Sequence, residues 1–343
     1  MADLSNKLPQ VDFIIPTLNA AKVLPLCLKS IDAQNYPKTN INFLIIDGGS
    51  TDTTLILAKS FKAKVYSNPL KTGESGKAVG IKHSTSPFLV LLDSDNILPT
   101  SNWLRELIEP LLINKNIVGS ESWAFTYRPQ AGFIERYSAL LGANDPYAYF
   151  CGIYDRFSHL SLSWTGLPLA LTNSDTMVLI ALNSQSLPTI GANGTLYRTS
   201  FLKKHFNSAY FFDTDFLNSL SLTYSGLLFT KIKNSIIHTY CESSITKFIT
   251  KQQRRVTDFY VYQPLRRHNW SHLNQRWSLL FPLYSLSLFL PLKDSLIGFS
   301  RQRDLAWFFH PLACLITTYV YALGVIQNKL HLLKPLNRHD WKQ

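Results

Sequence analysis

No Cys-x-x-Cys, no apolar core near the N-terminus and no internal repeat occur in the sequence, and each absence removes a class of protein. Cys27, Cys151, Cys241 and Cys314 stand far apart, which argues against a zinc cluster or a dithiol redox site. They read as small buried side chains kept in a reducing compartment. The polar stretch Met1–Gln10 contains no signal-peptide core, so the working part is expected on the cytoplasmic side. No zinc-finger spacing or RNA-binding aromatic signature is found, and nucleic acid is not an expected partner. Charge is scarce as well: 16% of residues are charged against 46% hydrophobic, the balance of a packed chain rather than a disordered one. What charge there is leans one way, to a net +12, which suits anionic lipid or phosphorylated ligands. The 343 residues suffice for one large domain or two smaller ones.

Short apolar runs alternate with segments of helical period through the first third of the chain. Val11–Ile15, closed by Pro16, reads as a strand, and Lys22–Ala33, with Val23, Leu26, Leu28 and Ile31, as a helix. Strand Ile41–Ile46, helix Thr53–Phe61 capped by Asp52, strand Lys64–Ser67, helix Ser75–His83 and strand Phe88–Leu92 follow. This alternation predicts an α/β fold with a doubly wound, mostly parallel sheet. Such sheets bind ligands beyond the carboxyl ends of their strands. Pro16, Asp47 and Asp93 all stand at such ends. From Trp103 to Pro188 the pattern is irregular, with a helix expected at Ile134–Leu141 and a strand at Thr176–Leu182. A glycine-flanked loop, Gly191–Arg198, precedes a helix over Phe216–Ser225, two strands (Leu227–Ile232 and Ser235–Thr239) and a basic helix, Ile245–Tyr262.

The sharpest chemical signal is Asp93-Ser94-Asp95 at the end of the run Phe88–Leu92. Side chains two apart on an extended segment share a face, so Ser94 lets both carboxylates reach one ligand. Paired hard oxygen donors suit Mg²⁺ or Mn²⁺ carrying a diphosphate.

In order along the chain, Phe13-Ile-Ile-Pro-Thr-Leu-Asn19, Leu44-Ile-Ile-Asp-Gly-Gly-Ser-Thr-Asp52, Gly76-Lys77-Ala78, Asp93-Ser94-Asp95, Thr214-Asp215 and Gln252-Gln-Arg-Arg-Val256 resemble the motifs of family-2 inverting glycosyltransferases of the GT-A fold. The resemblance covers roughly residues 11 to 260 and departs from the family at Gly48, Thr214 and Val256. It implies a GT-A domain over residues 1–262, with a donor half to about residue 100 and an acceptor half after it; the apolar and basic composition of 263–343 reads as a membrane-associating region. It implies a nucleotide-sugar site at Pro16, Thr17, Asn19, Asp47, Lys77, Asp93, Ser94, Asp95, Arg254 and Arg255. The metal would sit on Asp95 and Asp93, with His238 as a lesser contact, and Asp215 would be the catalytic base. Asn193 and Gly194 would shape the acceptor side. Read without the resemblance, several of these residues have plainer roles. Asp215 is a first-turn helix acid, and Lys251–Arg255 a solvated face or a lipid-headgroup patch. Thr17 and Asn19 are turn formers, Lys77 a surface charge, His238 a buried structural histidine, and Asn193-Gly194 a turn. A nucleotidyltransferase would want a glycine-rich basic loop where Pro16-Thr17-Leu18-Asn19 stands. Thr214 and Val256 leave room for a degenerate scaffold without activity.

The C-terminal region changes character. Trp277–Leu292 is nearly uncharged, Leu305–Gln327 holds no charged residue, and Lys293–Asp304 reads as a polar linker between them. Leu305–Gln327 is long enough to span a bilayer, and a buried soluble core is the alternative. If both segments crossed, Lys293, Arg301 and Arg303 would lie outside, against the positive-inside bias. The expectation is therefore interfacial attachment at the cytoplasmic face, helped by Lys203-Lys204, Arg266-Arg267 and the basic tail after Lys329. A glycan or polyprenyl-linked acceptor would suit that location.

Overall fold

The computed structural model describes residues 8–334 apart from 170, 183–186, 192, 222, 225 and 267–270, with the backbone alone for 214 and 271–278. Ala192 of the glycine-flanked loop, Arg267, the chain beyond Lys334 and the side chains of Thr214 and Trp277 lie outside the described residues.

The first third forms β1 (Val11–Thr17), α1 (Leu24–Asp32), β2 (Ile41–Asp47), α2 (Thr54–Ser60), β3 (Lys64–Ser67), α3 (Gly73–His83), β4 (Phe88–Leu91) and β5 (Asn96–Ile97). Pro16 belongs to β1 rather than closing it. Pairing with β4 ends at Ile14 and Leu91, so the proline costs no bond on that side. Alternate residues of β1 serve opposite faces. Phe13 and Ile15 pack with Leu24, Leu28 and Ile31 of α1, while Ile14 packs with Ala78 and Ile81 of α3. Buried Asp12 ties the base of β1 to the turn before β4, accepting bonds from Ser84, Thr85, Ser86 and Asn42.

The chain continues through α4 (Trp103–Ile113), β6 (Ile117–Phe125), α5 (Phe133–Leu141), α6 (Pro146–Phe150), β7 (Leu171–Asn173), β8 (Met177–Ala181), β9 (Thr195–Arg198), α7 (Thr199–His205), α8 (Asp213–Ser221), β10 (Leu228–His238) and α9 (Ile245–Val261). One sheet results, in the order β3-β2-β1-β4-β9-β6-β10-β8-β7, with β5 paired to the end of β10. The β3-β2-β1-β4 half matches the expected parallel winding, and β6 and β10 also pair in parallel. β9 enters antiparallel between β4 and β6, and β8 and β7 are antiparallel too, so the sheet is mixed. The two strands expected at 227–239 are a single strand with a register shift between Ile232 and Ser235. The expected helix at 216–225 begins earlier, at Asp213.

Three helices close the chain: α10 (Ser271–Leu286), α11 (Phe289–Arg301) and α12 (His310–Lys329). The supposed polar linker is therefore largely helical, part of α11. Ala306, Trp307, Phe309 and Ala313 join Tyr137 and Phe248 in a third core cluster. His310 shares hydrogen bonds with Tyr137 (2.7 Å) and Tyr284 (2.9 Å), and burial pushes its pKa down to about 4. A Cβ on Gly324 would stand 2.6 Å from Val256, which shows how closely α12 lies on α9. Val256 thus lies directly against this helix.

Candidate active site

A cavity of about 1380 Å³ opens beyond the carboxyl ends of β1 and β4, and it gathers residues from most of the chain. Pro16, Thr17, Lys77, Asp93, Ser94, Asp95, Asn193, Asp213, His238, Arg254, Arg255 and Arg266 all line it. Asn19, Asp47, Gly194 and Asp215 are not among its lining residues.

The β1 and β2 ends are stitched to each other. Asp47 accepts bonds from the Thr17 hydroxyl (3.0 Å), the Gly49 and Ser50 amides (2.9 and 2.8 Å) and the Ser50 hydroxyl (2.5 Å). Asn19, at φ +50°, accepts from the Thr51 amide at 2.8 Å and donates its own amide to Ser50. Asp47 and Asn19 thus shape the rim, and Pro16 and Thr17 face the cavity.

Lys77 reaches the cavity because α3 lies tight against β1. A Cβ on Gly76 would stand 2.8 Å from Pro16, and one on Gly80 2.2 Å from Ile14. Buried Lys77 binds Asp213 at 2.7 Å and Asp93 at 3.2 Å. The two acids of Asp93-Ser94-Asp95 face different partners: Asp93 turns to Lys77, while Asp95 turns to Lys251 (3.1 Å) and His238 (3.4 Å). Pairing of β5 with the end of β10 brings His238 there, and the Thr239 amide donates to the Asp95 carbonyl. Burial pushes the Asp95 carboxyl up, but the Lys251 and His238 charges outweigh it and hold Asp95 well below the usual range.

Asp215, expected as the base, is buried and gripped through both oxygens by Arg266 at 2.9 and 2.7 Å. Both oxygens meet the same guanidinium nitrogen, and Asp215 is not among the residues that line the cavity. Asp213, two residues earlier, does. Burial, helped by the Glu74 and Asp93 charges, raises its pKa to about 6 despite Lys77. The sequence signal for Asp213 was its place in the same acidic first turn, with nothing to show which carboxylate Arg266 would claim.

Asn193 lines the cavity: its carbonyl accepts from Arg156 at 2.8 Å, and its buried side-chain oxygen has no partner among the described residues. Gly194 is structural, with φ +68° and its amide donating to the Leu91 carbonyl at 3.0 Å. Beneath this loop lies a charged cluster with no sequence signature. Buried Glu121 binds Lys231 at 2.7 Å and Arg156 at 2.9 Å, and accepts from the Gly191 amide and the Thr195 hydroxyl. Burial pushes Glu121 up, yet the two cations win and bring it down to about 2. Arg255 meets Asp145 at 3.6 Å and Gln252 at 2.6 Å, and Tyr321 of α12 donates to the same Asp145 at 2.6 Å.

The sequence profile described as Glycosyl transferase family 2 matches residues 12–165. A glycosyltransferase, AglE, of Haloferax volcanii is 29% identical over 144 residues, 40% of this chain and 46% of that protein. A dolichyl N-acetyl-alpha-D-glucosaminyl phosphate 3-beta-D-2,3-diacetamido-2,3-dideoxy-beta-D-glucuronosyltransferase of Methanococcus voltae is 35% identical over 106 residues, 29% of this chain and 33% of that protein. The chain therefore spans less than half the length of these relatives. A mannosyltransferase from Pyrobaculum calidifontis, solved in complex with GDP-Man and Mn²⁺, shares the fold. Its TM-score is 0.51 at 12% identity, over 95% of this chain and 88% of that one.

Proposed function

We propose that this chain, a member of glycosyl transferase family 2 through residues 12–165, is an inverting transferase that moves a sugar from a nucleotide-diphosphate donor to an acceptor hydroxyl at a membrane surface. The observation that carries the reading is Asp213: a carboxylate with its pKa raised to about 6, in one cavity with Asp93 and Asp95. A general base works best with a pKa near the operating pH.

Lys77 and Arg254 bring positive charge to the Asp93 end of the cavity, where the diphosphate belongs. Asp95 and His238 set a carboxylate and an imidazole 3.4 Å apart, with Asp93 close in sequence. Among the described residues no three such side chains gather as a metal site, so a Mg²⁺ or Mn²⁺ held by Asp95 and Asp93 would take most of its ligands from phosphate and water. When bound there, the cation supplies Lewis-acid stabilisation of the leaving diphosphate. Asp213 takes the acceptor hydroxyl proton as that oxygen attacks the anomeric carbon opposite the leaving group, so the configuration inverts. Lys77 holds the Asp213 carboxylate in place for this step.

The C-terminal helices support attachment at the cytoplasmic face of a membrane. The stretch Leu305–Lys329 is long and apolar enough to cross a bilayer, but α12 lies along α9, and Tyr321 reaches Asp145 and Gln252. A helix docked this way along its length favours lying in the interface over spanning it. Leu279, Leu283, Leu286, Phe289, Leu312 and Tyr319 are exposed on the outer side. Arg266 is removed from the expected lipid-binding patch because Asp215 holds it. A glycan or polyprenyl-linked acceptor fits that setting, in keeping with the dolichyl phosphate substrate in the methanococcal relative's name.

Calorimetric titration with UDP- and GDP-sugars, with and without Mn²⁺, tests this. Metal-dependent binding of at least one donor is expected, and no binding of any of them would remove the reading.

A further inference from the structure

We propose that the arm of the cavity between α10 and α12 holds the hydrocarbon tail of a lipid-phosphate acceptor, loaded sideways from the bilayer. The inference rests on the transferase reading above and names its acceptor class. The cavity that contains Asp93 and Asp213 also includes Phe281 and Pro282 of α10 and Thr318, Ala322, Val325 and Ile326 of α12. Its chemistry changes from charged to apolar along the way. Arg254 feels the Glu74 and Asp93 charges at one end, while Arg255 is joined through Asp145 to Tyr321 at the other. The Arg255 guanidinium therefore stands at the step from polar to apolar, where the phosphate of an amphiphile would rest.

The apolar end is open. Ile326 lines the cavity and is 52% exposed, and Val325 and Ala322 are exposed as well. Leu279, Leu283 and Leu323, close in sequence to the lining residues Phe281, Pro282 and Ala322, are exposed as well. A water-soluble acceptor would gain nothing from such a mouth, whereas a lipid chain removes apolar surface from water along the whole arm. The surface expected to meet the bilayer and the exit of the cavity are the same surface, so a lipid can enter without crossing water. A bilayer phospholipid shares this chemistry. The acceptor is favoured because the arm leads to the base and the donor end.

The test titrates the full chain with inorganic phosphate, geranyl phosphate and farnesyl phosphate, and floats it on phosphatidylglycerol vesicles. Affinity should rise in that order, roughly tenfold or more for the added isoprene unit. Ala322→Trp and Ile326→Asp, both at exposed positions, should each erase that chain-length gain. Neither should change Mn²⁺-dependent nucleotide-sugar binding, and Ala322→Trp should float like the wild type. Equal binding of phosphate and farnesyl phosphate, or an unaltered chain-length gain in both variants, would overturn the proposal. Loss of flotation in Ala322→Trp would give the arm to bilayer lipid and overturn it as well. A wild-type chain that shows the chain-length gain but binds no nucleotide sugar would keep the lipid arm and remove the transferase reading, so the two failures are distinguishable.

Discussion

In the β1–β4 half of the sheet, the residues that shape the site come from neighbouring turns. Asp47 is satisfied by Thr17, Gly49 and Ser50, and Asp12 by Asn42 and Ser84–Ser86, all within one parallel winding. In the β6–β10 half, working contacts are mostly buried ion pairs between strands and irregular segments. Glu121 meets Arg156 and Lys231, Asp215 meets Arg266, and Asp145 meets Tyr321. The first half uses topology to bring polar groups to one edge. The second uses buried charge to hold irregular loops where no regular winding would put them. Asp213 and Lys77 are the joint between the halves, and there the comparison is tested most sharply.

Asp213→Asn should cost the largest amount: about 10²–10⁴-fold in kcat, with donor affinity nearly unchanged, as general-base loss requires. Because the pKa of Asp213 is raised to about 6, the deprotonated, active form grows as pH rises through that value. The acid limb in kcat should therefore lie near pH 6 and vanish in Asp213→Asn. Asp215→Asn should behave differently, lowering stability by leaving Arg266 unpaired while keeping that acid limb. The reverse pattern would return the base to Asp215 and undo the assignment. Single-turnover rates across pH with each variant decide it.

The next effect falls on the buried cluster. Glu121→Gln removes the charge that both Arg156 and Lys231 face, and breaking such a pair typically costs about 3–5 kcal/mol. Wild-type Glu121, held down to about 2, adds stability at pH above its unfolded pKa of 4.5. That contribution is lost as pH falls from there through about 2. Urea unfolding at pH 7 and at pH 3 should show the Gln variant closing part of its gap to wild type in acid. An equal gap at both pH values would mean the cluster is neutral in the fold, and the second half would lose its distinguishing device.

The donor half was legible because its signals are local. An apolar run, a turn and an acid at the strand end can be read within a few residues: β3 falls where the pattern puts it and β2 and β4 within one residue of it, while β1 runs on through Pro16 to Thr17. The second half was not, for physical reasons. Arg156 and Glu121 carry no mark in sequence that they will be buried together, since a lone charged residue ordinarily reads as surface. Asp213 and Asp215 lie in one helical turn, and only the fold brings Lys77 to the first and Arg266 to the second. The direction of β9, which turns a parallel sheet into a mixed one, depends on pairing with β4 and β6 far earlier in the chain. The C-terminal helices were legible as apolar but not as walls of the cavity.

The smallest effect probes how the donor half delivers Lys77. In a helix, Gly→Ala normally gains roughly 0.5–1 kcal/mol. At Gly80 the new methyl would stand 2.2 Å from the buried Ile14 side chain, and overpacking of that kind costs about 1–3 kcal/mol. Gly73, at the start of the same helix, has nothing within 4 Å of an added Cβ. Gly80→Ala should therefore lower the urea midpoint, and Gly73→Ala should hold or raise it. Because Ile14 sits on β1, relief of the clash moves α3 away from the strand and Lys77 away from Asp213. Gly80→Ala should then weaken kcat beyond what its stability loss explains, while Gly73→Ala leaves kcat alone. Equal kcat in both variants would mean that Lys77 is held by its two carboxylates rather than by the packing of α3, and local winding would no longer account for the donor half.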